Sequence, residues 1–223
     1  MSTPFPEILA HLSAAYGPQH WWPGETPFEV MVGAVLVQNT AWKNVEKAIV
    51  NLRESGLLSL AAIHRTDREE LAEIIRPSGY YRVKAARLKN LVAFVVNEFD
   101  GSLDAMFERP LEELRESLLA LNGVGPETAD SILLYAGHLP TFVIDSYTQR
   151  VFKRHGWIEP EADYYALKEH CEGNLESDVA LFNEYHALLV RVGNAHCRAQ
   201  PRCDGCPLVP LLPESGIVEP NAW

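Results

Sequence analysis

The sequence predicts an all-α protein. Apolar residues recur at helical spacing in one segment after another, strand-like alternation is nearly absent, and prolines and glycines fall at the joins. The first helical segment, 4–16, is separated from the second, 27–38, by Pro23-Gly24. Segments 42–55, 59–65 and 68–75 follow, and Pro77 to Gly79 stops the chain before 81–98. Asp100-Gly101 opens the way to 102–107 and 110–120, and Gly123 to Pro126 joins these to 126–136. Gly137 to Pro140 reverses the chain before an expected extended stretch, 141–144. The last segments are 146–155, 161–175 and 178–193. Nothing repeats at a fixed period, and the Pro- and Cys-rich tail 197–213 reads as an irregular loop.

With 223 residues, 47% of them hydrophobic, the chain can bury a substantial core as one large domain or two small lobes. No apolar run approaches the roughly 18–20 residues of a membrane span, and the start lacks the charged-then-apolar pattern of a signal peptide. A cytoplasmic protein with no membrane partner is therefore expected. Cys197, Cys203 and Cys206 lie close together and Cys171 lies apart; in a reducing compartment that grouping reads as a metal site.

The net charge of -11 argues against a simple nucleic-acid binder, because phosphate contacts need Lys and Arg. The distribution matters more than the sum. Acids crowd 108–116 and 159–178. Bases gather at Arg82, Lys84, Arg87 and Lys89, at Arg150, Lys153 and Arg154, and at Arg191, Arg198 and Arg202. Each group alone reads as a solvated helix face; together they could line one side of a cleft.

Leu121-Asn122-Gly123-Val124-Gly125 joins two helices. Two glycines one residue apart permit a tight turn with positive φ and a close backbone approach. Pro126 suits the first turn of the next helix, whose free amides can hold a phosphate without a lysine. A plain helix-turn-helix connection is the alternative. About 20 residues on, Val143-Ile144-Asp145-Ser146-Tyr147 opens another helix. Asp145 is either an N-cap or a carboxylate presented to a cleft, where it can support cationic charge or activate water.

LNGVGPETADSILLYAG followed by FVIDSYTQRV resembles the helix-hairpin-helix, Gly/Pro-rich loop and catalytic aspartate of the endonuclease III superfamily of DNA glycosylases. Val35 to Thr40 resembles the segment whose glutamine, here Gln38 with Asn39 beside it, enters the space left by a flipped base. Arg76 to Tyr81 with Lys84-Ala85 resembles the G-x-x-x-x-K-A segment, and Cys203-x2-Cys206 after Pro201 the iron–sulfur tail. The resemblance implies a two-lobed endonuclease III-like fold with DNA in the cleft: a central lobe 25–137 carrying the hairpin at 114–136, and a lobe of 1–24 plus 138–223 carrying the Cys-rich loop. It further implies a monomer, nucleoid-associated in a prokaryote, acting on double-stranded DNA with damaged bases. Asp145 is then the catalytic residue, and Gln38, Asn39, Gly123, Val124, Gly125 and Lys84 are DNA-binding.

Relatives that also cut the strand carry a lysine two residues after the second hairpin glycine. Here that position is Glu127, and a carboxylate cannot form a Schiff base. A monofunctional glycosylase with water as nucleophile is expected. Gly-x-Gly-x-Glu-x-Ala-Asp, Gln38-Asn39-Thr40 and Trp21-Trp22-Pro23 resemble the 3-methyladenine DNA glycosylase III branch, which excises alkylated purines. Trp42 matches that branch's pocket aromatic, and Trp21 and Trp22 are further pocket candidates; cationic bases stack well on such rings. Ordinary core packing is the alternative for each. That branch can carry a pocket lysine where this chain reads Val192-Gly193-Asn194. Two other readings stand beside this one: an endonuclease III-like enzyme for oxidised pyrimidines with its lyase lost, and a non-catalytic damage-binding module.

The superfamily's cluster loop runs Cys-x6-Cys-x2-Cys-x5-Cys. Here it runs Cys197-x5-Cys203-x2-Cys206, with Leu212 at the fourth position. By resemblance Cys197, Cys203 and Cys206 hold a 4Fe–4S cluster completed by another group. His196, Asp204, Glu214 and Cys171 are the candidate completers, although Cys171 also reads as a core cysteine. A metal-free loop and a zinc site using His196 remain open.

Overall fold

The computed structural model describes residues 3–218. Among them are twelve α-helices: α1 (Phe5–Tyr16), α2 (Pro27–Leu36), α3 (Trp42–Glu54), α4 (Leu60–Arg65), α5 (Arg68–Ile74), α6 (Tyr81–Phe99), α7 (Leu103–Phe107), α8 (Leu111–Leu119), α9 (Pro126–Ser131), α10 (Ser146–Arg154), α11 (Tyr164–Glu172) and α12 (Val179–Ala195). No strand occurs among the described residues. The segment expected as one helix over 126–136 changes character midway: α9 gives way to a π-helical turn, Ile132–Ala136. The last helix but one starts later than expected because Asp163 caps it, accepting from Ala166 N at 2.9 Å. The tail is loop with one 3₁₀ turn, Val209–Leu211.

The chain divides into two compact units, Met1–Trp22 with Pro140–Trp223 and Pro23–Leu139. The outer ends of the first, like those of the terminal lobe expected from sequence, lie outside the described residues.

Unit Pro23–Leu139 is built around α2. Its sequence PFEVMVGAVL is apolar but for Glu29, as suits a central helix; every residue from Phe28 to Leu36 is buried, and Arg53 Nη2 donates to Glu29 Oε2 at 3.0 Å. Thr26 caps it by accepting from Glu29 N, and Pro27 takes the first position. Helix α3 packs on it with the stripe Val45, Ala48, Ile49 and Leu52, and α6 with Ala85, Leu88, Val92 and Val95. Each such side chain removed from water contributes about 1.5–3 kcal/mol. The helices on either side of the hairpin are joined by a buried ion pair: Arg115 Nε of α8 donates to Asp130 Oδ1 of α9 at 2.7 Å, and Nη2 to Oδ2 at 3.1 Å.

The other unit packs α1 and α10 on α12. Phe5, Phe142, Phe152, Phe182 and Tyr185 form its aromatic core. Tyr185 Oη donates to the Phe5 carbonyl at 3.1 Å, fastening the start of the chain to its last helix. Residues 141–145 run non-helical and buried, and Phe142 N donates to Glu172 Oε1 at 2.7 Å.

Removing one partner of a buried, bidentate ion pair leaves the other charge uncompensated. Asp130→Ala should therefore lower the unfolding free energy by about 3–5 kcal/mol, measured by urea denaturation. A loss below about 1 kcal/mol, the value of a surface pair, would show that the pair does not hold the hairpin helices.

Candidate active site

The hairpin lies in unit Pro23–Leu139, and its two glycines do different work. Gly123 has φ 98°, and a Cβ there would lie 2.1 Å from Arg87 Cγ, so conformation and space both require glycine. Gly125 has φ -95° and open space where a Cβ would be. The positive φ that the turn was expected to use is at Gly123, and Gly125 instead leaves the start of α9 uncovered. Val124 between them is buried.

Gln38 is tied to this turn. Its Nε2 donates to the Gly123 carbonyl at 3.0 Å and to Thr128 Oγ1 at 2.8 Å, while Arg87 Nη1 donates to its Oε1. Arg87 thus lies over Gly123 with its stem and orients Gln38 with its head. Nothing in the sequence singled it out for that role. Asn39 is exposed on left-handed backbone, φ 53°. Trp42 is the first residue of α3 and half-buried, and Glu127 is exposed on α9.

Lys84 does not face DNA. It is 1% exposed, and its ammonium donates to the carbonyls of Leu36 at 2.8 Å and Ser78 at 2.6 Å. It joins the end of α2 to the turn before α6, which corrects its assignment as a DNA contact. Burial and the neighbouring Arg87 charge bring its pKa down to about 8. Other bases are also turned inward. Lys89 Nζ donates to the Ile63, His64 and Thr66 carbonyls, closing the end of α4. Arg150 and Arg154 grip the cysteine loop. Lys153, Arg191, Arg198 and Arg202 remain at least partly exposed.

Asp145 lies in the other unit, 8% exposed, at the N-terminus of α10. It is an N-cap: its Oδ1 accepts from Thr148 N at 2.7 Å. The same Oδ1 faces His186 Nε2 of α12 at 3.8 Å. That is longer than a hydrogen bond, so the contact counts as electrostatic. Oδ1 is thus the anchored oxygen of the carboxylate. Burial pushes the carboxyl pKa up, but His186 and the Thr148 N–H outweigh it and hold the group below its ordinary value. Sequence reasoning missed His186, because a lone histidine on an apolar helix face carries no spacing signal.

Trp21 and Trp22 belong to the same unit as Asp145, are half-buried and meet edge to face at 5.7 Å. Two residues after Asp145, Tyr147 lies against Gly193, where a Cβ would come within 2.5 Å of the Tyr147 Cβ and 2.7 Å of its ring. Glycine at 193 thus makes room for Tyr147.

Cys197, Cys203 and Cys206 line one pocket with Arg154, His155, His196, Leu208 and Leu212. Arg154 is buried and donates from Nη1 to Cys197 Sγ at 3.4 Å and to the Arg198 carbonyl, and from Nη2 to the Ala199 carbonyl at 2.8 Å. Arg150 Nε donates to the Cys197 carbonyl at 3.0 Å. Burial raises the Cys197 pKa against the pull of Arg154. Leu212, at the fourth ligand position, borders the pocket but brings no donor atom. Of the candidate completers only His196 lines it. Its Nδ1 meets the Arg202 carbonyl at 3.0 Å, which must accept, so the proton sits on Nδ1 and the Nε2 lone pair is left available. Cys171 is fully buried elsewhere, its pKa driven up by burial. Among the described residues no three His, Cys, Asp or Glu side chains are gathered as one metal ion would require.

Residues 32–177 match the family described as HhH-GPD superfamily base excision DNA repair protein. The chain belongs to that superfamily. Like other HhH-GPD chains it is all-helical with an endonuclease III-like fold. A Methanocaldococcus jannaschii protein named as a candidate DNA repair glycosylase is 48% identical over 194 residues, 86% of this chain and 88% of that one. A 3-methyladenine DNA glycosylase of H. pylori, solved bound to 1,N6-ethenoadenine, superposes with a TM-score of 0.76 at 31% identity, covering 86% of this chain and 98% of the other. An endonuclease III in non-covalent complex with DNA gives 0.82 at 26% identity, covering 96% and 97%. No helix among the described residues is long and apolar enough to cross a membrane.

The Lys84 environment has a pH consequence. Its folded pKa of about 8 lies below the ordinary 10.5, so the unfolded chain binds more protons between those values and stability rises with pH across that window. The neutral amine keeps two hydrogens for its two carbonyls. Relative to Lys84→Met, the wild type should gain stability from pH 8 to about 10.5, measured by denaturation at each pH; a flat difference would count against a lowered pKa.

Proposed function

We propose that this chain is a monofunctional DNA glycosylase that hydrolyses the N-glycosidic bond of an alkylated purine flipped out of duplex DNA. That it is a base excision DNA repair glycosylase follows from its family, which sets the non-catalytic module aside. The observation that carries the finer reading is Glu127. At the position of the lyase lysine it offers an exposed carboxylate and no amine, so water is left as the nucleophile.

The chemistry follows from Asp145. As the bond between sugar and base breaks, its electron pair leaves with the base and positive charge grows on the sugar. A fixed, ionised carboxylate in a water-poor site stabilises that charge. Water then adds its oxygen to the sugar carbon and gives up a proton, for which Oδ2 is the acceptor. A cationic alkylated purine leaves as a neutral base, so no acid is needed to protonate it. Trp42, Trp21 and Trp22 are the rings assigned to stack on it, and Gly123 to Gly125 with Gln38 and Asn39 is assigned to the DNA backbone and the gap left by the base. The 31% identity to an alkylpurine enzyme supports this substrate class. The higher TM-score of endonuclease III supports the second reading, an oxidised-pyrimidine glycosylase without lyase activity.

We assign Cys197, Cys203 and Cys206 to a 4Fe–4S cluster, with the His196 Nε2 as the completing donor that lines the pocket. Ligands of a cluster sit on separate irons and stand further apart than those of one ion, so this donor set suits the cluster better than zinc. Bound there, the cluster would brace the loop that Arg150 and Arg154 hold.

A base-release screen over alkylated and oxidised duplexes is expected to show release of 3-methyladenine. Asp145→Asn should lower release by at least about 10²-fold while still binding lesion DNA, and Trp42→Ala should abolish it with the fold intact. Borohydride should trap no enzyme–DNA adduct. Release confined to oxidised pyrimidines would select the second reading, and a robust adduct would overturn monofunctionality. Anaerobically purified protein should show cluster absorption with matching iron and sulfide; colourless, iron-free protein would refute the cluster.

A further inference from the structure

Four aspartates cap helices here, and three of them, Asp67, Asp163 and Asp178, are exposed. Water supports their charge alongside the cap bond. Asp145 makes the same bond, to Thr148 N, but at 8% exposure. A buried carboxylate with one backbone N–H is under-compensated. What sets Asp145 apart is a second group on another helix: His186, 4% exposed, with Nε2 3.8 Å from Oδ1. The groups acting on the carboxylate are His186 from α12 and Thr148 from its own helix.

We infer that His186 is the positioning residue for Asp145: from α12 it sets Nε2 3.8 Å from Oδ1, so that the Thr148 N–H and the electrostatic pull of the imidazole together fix the carboxylate and Oδ2 is presented, charged, to the reacting sugar. This rests on the proposed role of Asp145. The pull is attractive with a hydrogen on Nε2, where a lone pair would instead face those of Oδ1. The ring is held by α12, which packs on α10, so the donor stays in place as charge builds on the sugar. The depressed carboxyl pKa agrees with this arrangement.

The test compares His186→Leu, which fills the space without a donor, with His186→Gln, whose amide nitrogen reaches the Nε2 position. At pH 7, infrared difference spectra against Asp145→Asn should show an ionised Asp145 in wild type and His186→Gln, and a protonated carboxyl in His186→Leu. In single-turnover assays on alkylated duplex, His186→Leu should release base about 10²-fold more slowly with lesion-DNA affinity within about threefold of wild type. His186→Gln should recover at least about tenfold of that loss. An ionised Asp145 in folded His186→Leu, an unchanged rate, or equal losses in both variants would each overturn the inference. If the wild type releases no base, the glycosylase reading fails instead, and the infrared comparison still decides what His186 does to Asp145.

Discussion

A carboxylate taken out of water needs donors aimed at it or it gives up its charge. Asp145 sits under that constraint, and the surrounding unit is arranged to meet it. The N-terminus of α10 supplies one N–H, at Thr148. Helix α12 supplies His186, and it can do so only because Gly193 lets the Tyr147 ring of α10 lie directly against it. Helix α1 packs on the same α12, with Phe5 and Tyr185 between them. Helices α1 and α10 thus both rest on the helix that carries His186.

The hairpin unit solves a related problem with opposite signs. Helices and turns end in carbonyls that lack partners. Here cations close them: Lys84 at the end of α2, Lys89 at the end of α4. Arg87 crosses Gly123 to hold Gln38, and Gln38 holds the Gly123 carbonyl in turn. These bases are therefore not free to neutralise phosphates, in a chain whose net charge is already -11. The cysteine loop follows the same pattern, since Arg150 and Arg154 reach it from the helix that Asp145 caps.

Local signals in the sequence were enough for most of the helices, the hairpin and Asp145 at a helix start. Periodicity, a capping side chain and a Gly-x-Gly-Pro turn act over a few residues, and the residues that produce them are neighbours in the chain. Even there a local rule left one choice open. The pattern did not say which of the two glycines takes the left-handed backbone; Gly123 does, and there the Arg87 side chain also crosses the turn.

Tertiary structure decided the rest. Lys84 and the Leu36 carbonyl are 48 residues apart, and Arg87 and Gln38 are 49 apart. Nothing in either local pattern says whether a lysine turns to solvent or into the core; packing decides it, because a buried ammonium is tolerated where carbonyls are waiting. His186 reads in the sequence as one more residue of an apolar helix face. It becomes part of the site only when α12 lies along α10. Sequence by itself thus determined the helices, the hairpin turn and the capping aspartate, and the folded chain determined which partners hold them, since partners are set by distances in space that chain order does not encode.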